Sequence, residues 1–445
     1  MRQAVISGHV APNPDETVEG LIARVDPAAR SGTRAHDIDD CPGAPAVVLI
    51  TSNFPPVRGG SSVVYESLAK HASGRILVVA PRRDYRNLRP LAWSAHDAAA
   101  PYRVVRLAML RSPMNDGRPD RRTRLRLAGI EAWRRARLLA TLAGVLLRGG
   151  IRTVCVGELV AGAWILRVLR PIAAVRTVIY VHGEEITTRD AYDADGRRRR
   201  AALQAADAII AVSPFTVRAI HDFLGPAADR PVILIRNGVD TARFRPGPRR
   251  ADLVTRYGLT GCFVFVSVCR LLEKKGIDHA IGAFARLAVA DPGCRLLIVG
   301  TGPDAARLRT IAEDCGVVDR VIFAGDVPDA DLADHYRLGD VFVMPNRALP
   351  DGDTEGFGLV FLEANACGLP VIAGRDGGSA DAVTDGENGL VVDGRSVDAI
   401  AAAMYRLRQD TELRAALAQR GREVATAADW RHRVSSFLHA CGVPG

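Results

Sequence analysis

The stretch Asp351-Gly-Asp-Thr-Glu355-Gly-Phe-Gly-Leu-Val-Phe-Leu-Glu363 sets two glutamates around a glycine-rich loop. Gly356 and Gly358, on either side of Phe357, permit close backbone approach, and the apolar run after them starts a helix. The beginning of that helix offers unpaired N–H groups and a partial positive charge to an anion. The eight-residue step from Glu355 to Glu363, at helical rise, spans ~12 Å, comparable with the reach from a ribose across a diphosphate to a sugar. One carboxylate is then placed to accept ribose hydroxyls while the other orients a sugar. The competing reading, a solvated pair of acids on an ordinary helix, does not account for the glycines.

Upstream, Val266-Ser-Val-Cys-Arg270-Leu-Leu-Glu-Lys-Lys275-Gly276 puts cations directly after a strand-like run. Arg270 offers a fork of donors and Lys275 a point charge, which together suit a diphosphate. The only lysines are Lys70, Lys274 and Lys275 among 59 basic residues, so two of the three fall here against a strong arginine bias. Taken alone, the same cluster also reads as a solvated loop. Nearer the N-terminus, Phe54-Pro-Pro-Val-Arg-Gly59-Gly60-Ser-Ser opens a helix at about Ser62. Its paired glycines either bring N–H groups against a phosphate or sugar, or form a plain tight turn. His182, in Tyr180-Val-His-Gly183-Glu-Glu, ends a strand where a cleft residue would sit, although a lone histidine is more often a structural hydrogen-bonder. Gly300-Thr-Gly302-Pro is a weak Gly-x-Gly without the third glycine of a dinucleotide fingerprint.

The elements that must position these residues are short apolar runs separated by helical patterning. The first series is Ala46–Thr51, Ile76–Val79, Thr153–Val156, Thr177–Val181 and Ala208–Val212. After the turn Asn237-Gly-Val-Asp240 a second series follows: Cys262–Val268, Arg295–Val299, Val321–Phe323, Val341–Met344 and Pro370–Ala373. Strands alternating with helices imply parallel sheets, so the fold class is α/β with two Rossmann-like, doubly wound domains facing across a cleft. The expected divisions are a poorly ordered extension over 1–44, a first domain over 45–240, a second over 241–425, and a C-terminal helix over 426–445 packing back on the first.

The 445 residues are 48% hydrophobic and 24% charged, which excludes a wholly disordered chain and supplies sizeable cores. No stretch approaches the ~18 consecutive apolar residues that would span a bilayer, and Met1–Asp40 lacks the apolar run of a secretory signal. A cytoplasmic protein, soluble or peripheral on the inner face of the membrane, is expected. The eight cysteines include no Cys-x-x-Cys pair, so they read as small buried residues. Of the net charge of +9, Arg82–Arg152 alone supplies +12, from seventeen arginines against five acids. Within it, Leu127, Ile130, Leu138, Leu142 and Val145 recur at helical spacing as a buried stripe, interrupted by Arg134. Opposite them Arg122, Arg126, Trp133 and Arg137 form a basic face with an interfacial aromatic, either a solvated helix surface or a dock for anionic lipid.

Taken in order, Phe-Pro-Pro…Gly59-Gly60, His182-Gly183, Asn237-Gly-Val-Asp-Thr…Phe244-x-Pro, Arg270…Lys275-Gly, Gly300-x-Gly-Pro and Glu355…Glu363 resemble the pattern of glycosyltransferase family 4. The resemblance covers roughly residues 45–440, and Gly325–Val383 is most similar to bacterial phosphatidylinositol mannosyltransferases. It implies the GT-B fold and a retaining, metal-independent hexosyltransferase that uses a GDP- or UDP-sugar and a lipid-linked or saccharide acceptor, with no cofactor. By the same resemblance, Arg270 and Lys275 bind the donor diphosphate and Glu363 the ribose. Glu355 and the amides of Gly356 to Gly358 hold the donor sugar, His182 also meets that sugar, Val327 meets the base, and Gly59 and Gly60 approach the diphosphate or acceptor. Cys269 departs from the glycine usual before the arginine. Asp351-Gly-Asp353 mimics a metal-binding Asp-x-Asp but stands beside Glu355, so it reads as structural or sugar-facing and no metal is expected. The alternatives are a sugar-nucleotide epimerase on the same fold and a basic nucleic-acid-binding protein; no zinc, RNA-recognition or helix-turn-helix signature supports the latter.

Overall fold

The computed structural model describes residues 43–111, 121–148, 150–189, 193–225 and 229–443. The expected N-terminal extension lies, but for its last two residues, outside them. The first half of the chain contains β1 (Val47–Ile50), β2 (Ile76–Pro81), β3 (Arg103–Leu107), β4 (Thr153–Val156), β5 (Arg176–Val181), β6 (Ala208–Ala211) and β7 (Val232–Leu234). The second contains β8 (Phe263–Val268), β9 (Cys294–Val299), β10 (Val321–Gly325), β11 (Val341–Met344), β12 (Val371–Gly374) and β13 (Gly389–Val392). They form two sheets, ordered β3-β2-β1-β4-β5-β6-β7 and β10-β9-β8-β11-β12-β13, with every pairing parallel. Helices cover both faces, which is why β1, β4 and β11 are buried at every position and apolar at all but Thr153.

Three strands carry no clear signal in sequence, and each is a sheet edge. β3 is Arg-Val-Val-Arg-Leu, β7 has two half-exposed residues and an exposed Leu234, and β13 closes the second sheet. An edge strand is covered on fewer sides, so nothing demands a continuous apolar run there.

In both sheets the strand order reverses beside the first strand, between β1 and β4 and between β8 and β11. Loops leaving neighbouring strands diverge at such a point and open a crevice at the C-terminal strand ends. In the first half, Glu158 after β4 closes the floor of that crevice. One of its oxygens accepts from Thr51 Oγ1 at 2.9 Å and from the amides of Ser52 and Asn53 at 2.6 and 3.0 Å. The loop carrying Gly59 is thereby anchored at its root.

The long helix Arg121–Leu147 corrects the stripe expected from its spacing. Leu138 and Leu142 are buried, but Leu127 is half-exposed and Ile130 exposed. Arg134, which interrupted the stripe, is buried and paired with Glu131. Among the described residues, the apolar side chains Leu125 and Ile130 in the N-terminal part of the helix are left exposed. Leu125 is 75% exposed, Trp133 50% and Leu147 86%, beside exposed Arg122, Arg126 and Arg137, and the Arg137 guanidinium lies 5.1 Å from the Trp133 ring centre.

The chain passes between the halves twice, and the two passages lie side by side. Val239 N donates to Ala428 O at 3.0 Å and Trp430 N to Val239 O at 3.3 Å, while Asp429 accepts from Thr241 Oγ1. Helix Trp430–Ala440 then packs on helix Gly60–His71, with Trp430 and Phe437 buried and Thr153 Oγ1 donating to the Cys441 carbonyl at 2.7 Å. Gly238 sits in this crossing, where a Cβ would meet Ala428 O at 2.7 Å and Trp430 Cδ2 at 2.9 Å. Gly238→Ala is therefore expected to cost ~1–3 kcal/mol by overpacking. Scanning calorimetry reads this directly; an unchanged unfolding midpoint would mean that the crossing opens freely.

Candidate active site

The β8–β11 crevice holds the charged residues singled out in sequence. Arg270 stands exposed after β8, and a 3-10 turn, Glu273–Lys275, then presents two lysines in different directions. Lys274 is buried, with Nζ 2.7 Å from Asp353 Oδ1, 3.1 Å from Glu184 Oε2 and 3.3 Å from the Thr354 carbonyl. Lys275 Nζ pairs with Glu355 Oε2. Burial alone would lower the Lys274 pKa, but Glu184, Glu355 and Asp353 raise it, so the ammonium is held charged. Burial likewise works against the Glu355 anion, and the charges of Lys275 and Lys274 overcome it and hold its pKa below the ordinary value.

Glu363 lies further along helix Leu359–Ala366, which starts directly after Gly358. It is buried and accepts from Tyr336 Oη at 2.6 Å through Oε2. Burial raises its pKa, opposed by the Tyr336 hydrogen bond and the Arg243 charge. Cys269 is buried with its backbone outside the left-handed region, so the side chain fits where a glycine was anticipated. Gly300 and Gly302 are explained by the same loop, because a Cβ at either would strike the carbonyl of Cys269 or Leu271 at 2.0 and 2.1 Å.

Facing this crevice are residues of the first half. His182 directly follows β5; its Nε2 is 2.7 Å from Tyr65 Oη, and burial lowers its pKa to about 4. Its amide donates to the Glu185 carboxylate, whose pKa is pushed up to about 7 by burial and the neighbouring Glu184. The halves touch through backbone: a Cβ at Gly356 would lie 1.9 Å from the His182 carbonyl oxygen. Ser213 Oγ donates to Gly356 O at 2.9 Å, Phe215 N to Asp381 Oδ2 at 2.7 Å, and Arg189 N to Asp351 O at 3.0 Å. On the other flank Gly60 packs towards Leu359, and Arg58 reaches across to Asp326 at 2.5 Å and to the Val327 carbonyl at 3.3 Å.

Two families match this chain. Residues 58–243 match Glycosyltransferase Family 4, and residues 259–424 match Glycosyl transferases group 1. The GDP-mannose-dependent alpha-(1-6)-phosphatidylinositol monomannoside mannosyltransferase of Mycobacterium tuberculosis is 37% identical over 400 residues, covering 86% of this chain and 94% of that protein. This chain is a family 4 glycosyltransferase. The enzyme of the same name from Mycolicibacterium smegmatis is 35% identical, covering 87% of this glycosyltransferase and 96% of that protein. A D-inositol 3-phosphate glycosyltransferase from Acidothermus cellulolyticus is 40% identical over 53% of each chain.

Solved structures place the glycosyltransferase in the GT-B fold. Sucrose-phosphate synthase from Thermosynechococcus elongatus superposes with a TM-score of 0.68 at 23% identity, over 89% of this chain and 98% of that one. Anabaena Alr3699/HepE, in complex with UDP and glucose, gives 0.69 at 20% identity over 89% and 99%.

The fold thus brings His182, Lys275, Glu355, Gly356, Phe357 and Gly358 to one domain junction, with Arg270 after β8 and Glu363 on helix Leu359–Ala366 of the same half. Gly59, Gly60 and Val327 lie on the flank that Arg58 bridges. The sequence reading left out Tyr65, Ser213 and Arg58, and gave Lys274 no place of its own. Lys274 was legible, as a lysine kept against arginine bias; Tyr65 was hidden among the apolar residues of its helix.

Proposed function

We propose that this enzyme transfers mannose from GDP-mannose to a phosphatidylinositol-type glycolipid, with retention of configuration and no metal, on the cytoplasmic face of the membrane. The observation that carries the reading is the Lys275–Glu355 pair at the β8–β11 crevice, next to Gly356, which meets the His182 strand end across the domain junction. Relatives at 37% and 35% identity, aligned over nearly their whole length, are GDP-mannose-dependent. Their names specify an alpha-(1-6) linkage, and such a linkage made from an α-configured donor would preserve configuration.

In this reading the second half binds the donor and the first half the acceptor. Arg270 and Lys275 receive the diphosphate, and Lys275 exchanges its bond with Glu355 for one with phosphate as Glu355 turns to a sugar hydroxyl. Glu363 keeps Tyr336 on one oxygen and offers the other to the ribose, while the Val327 backbone meets the base. The amides of Gly356 to Gly358 and His182 hold the sugar, with Gly59 and Gly60 against the diphosphate or acceptor. The acceptor hydroxyl attacks from the face the nucleotide leaves, and cations with helix N–H groups stabilise the departing charge. Asp353 is committed to Lys274 and serves that lysine's placement.

Mannosyl transfer from GDP-mannose into phosphatidylinositol monomannoside vesicles, followed by mass spectrometry with and without EDTA, tests the reading. Product is expected in both, with the new linkage α by NMR. Donor turnover in the absence of acceptor would favour the epimerase, and loss in EDTA restored by Mg²⁺ would defeat the metal-free mechanism. Glu363→Gln is expected to weaken GDP binding by ~1.5–3 kcal/mol, the worth of a charged hydrogen bond, as titration calorimetry reads.

The exposed face of helix Arg121–Leu147 supplies the membrane contact. Leu125, Trp133 and Leu147 enter the interface while Arg122, Arg126 and Arg137 meet anionic headgroups, at ~1 kcal/mol per arginine near the surface. Co-sedimentation should require phosphatidylserine, weaken with salt, and fall when the three arginines become serine. A protein that ignores anionic vesicles at low salt has no such dock.

A further inference from the structure

We infer that Tyr65 fixes the tautomer of His182, keeping the proton on Nε2 so that Nδ1 is the ring's lone pair for a donor-sugar hydroxyl. The inference rests on the reading above in which His182 meets that sugar.

Tyr65 is fully buried in helix Gly60–His71, and its Oη has two partners: the Gly157 carbonyl and, at 2.7 Å, His182 Nε2. A carbonyl oxygen only accepts, so the single phenolic proton goes to Gly157. The Oη lone pair can then be satisfied only by a proton on Nε2. Burial lowers the His182 pKa to about 4 and raises that of Tyr65, so the imidazole is neutral and the phenol protonated at ordinary pH. A neutral ring protonated at Nε2 has its lone pair at Nδ1. Among the described residues that atom has no hydrogen-bond partner, and His182 is half-buried.

The packing holds the orientation. The His182 ring lies 5.3 Å from the Tyr65 ring at 76° and 5.1 Å from the Tyr180 ring at 31°. Behind Tyr65 there is room for glycine only, because a Cβ at Gly157 would come within 2.8 Å of both Cζ and Oη. Gly157, Tyr65 and His182 therefore form a relay from the end of β4 to the end of β5, placing a fixed acceptor on the donor side of the cleft. Tyr65 is a positioning residue; it acts through His182.

The test combines a spectrum with a kinetic cycle on the full-length enzyme. Long-range proton–nitrogen correlation on protein labelled with ¹⁵N-histidine, with His182→Gln to assign the signal, should show the Nε2–H pattern, unchanged across neutral pH. Tyr65→Phe keeps the ring and removes the acceptor. It should mix the two tautomers and lower kcat by about tenfold, the worth of one neutral hydrogen bond, with a smaller effect on donor KM. In the His182→Gln background the same change should cost almost nothing. An Nδ1–H pattern in the wild-type enzyme, or an equal loss in both backgrounds, overturns the inference. If His182→Gln leaves kinetics untouched, the sugar-contact reading fails, and the spectrum still decides the tautomer.

Discussion

Lys275→Ala is expected to lower kcat by about 10²–10³-fold, the cost of removing one preorganised donor from developing transition-state charge. The lysine sits in a crevice between two packed domains, where charge is screened far less than in water. Its side chain and that of Glu355 are both mostly covered, and each is the other's closest partner. Lys274 cannot substitute, because Asp353, Glu184 and the Thr354 carbonyl already hold its ammonium. Steady-state kinetics at saturating donor measure the loss, and a thermal melt confirms that the variant is folded. A kcat equal to wild type would remove Lys275 from the leaving-group site.

The same variant has a pH signature. Glu355 is held ionised against burial mainly by Lys275, then by Lys274. A depressed pKa contributes stability above the unfolded value, which is lost as pH falls through the folded one. With Lys275 gone the carboxyl moves up. The acidic limb of the residual kcat profile should shift to higher pH, the opposite of what loss of a base with a raised pKa would produce.

Gly356→Ala is expected to lower kcat by about two orders of magnitude with little change in GDP affinity, since a 1 Å misplacement of the reacting groups costs ~10²-fold. Gly356 is outside the left-handed region, so alanine fits the conformation of its own domain. The obstacle is the other domain: the new Cβ would lie 1.9 Å from the His182 carbonyl oxygen, a backbone atom that has no rotamer to change. The alanine would push the strand end of β5 away from the Gly356 loop while leaving the rest of the second half intact. Calorimetry with GDP and kinetics with acceptor vesicles separate the two effects. Equal losses in GDP affinity and kcat would show that Gly356 serves the loop alone; no loss in either would show that the halves need not meet there.

How much of this was legible in sequence follows from what each position must satisfy locally. Central strands of a parallel sheet are covered on both faces, so β1 and β11 are unbroken apolar runs and β4 departs from one only at Thr153, and the alternation of such runs with helices specified two doubly wound sheets. Edges β3, β7 and β13 escaped because half-covered backbone tolerates arginine and short length. The glutamates around Gly356 and Gly358 and the lysines before Gly276 were visible because their types and spacing are unusual on chemical grounds alone.

Tertiary structure decided which neighbour each charge meets. Lys274 and Lys275 are adjacent and chemically identical, yet one is buried on Asp353 and Glu184 while the other pairs with Glu355. The direction of each side chain depends on a single 3-10 turn and on the loop that carries Asp353 and Glu355, and Lys274 also meets Glu184 from the other half of the chain. Ile130 fits the same helical period as Leu138, but only Leu138 lies over the sheet, because period describes a face and not what covers it. Tyr65 shows the limit most plainly. In sequence it is one more large residue on the inner face of a helix, and only contact with Gly157 and His182, 92 and 117 residues away, makes its hydroxyl matter. Long-range pairing of this kind leaves no local trace, because no nearby residue is constrained by it.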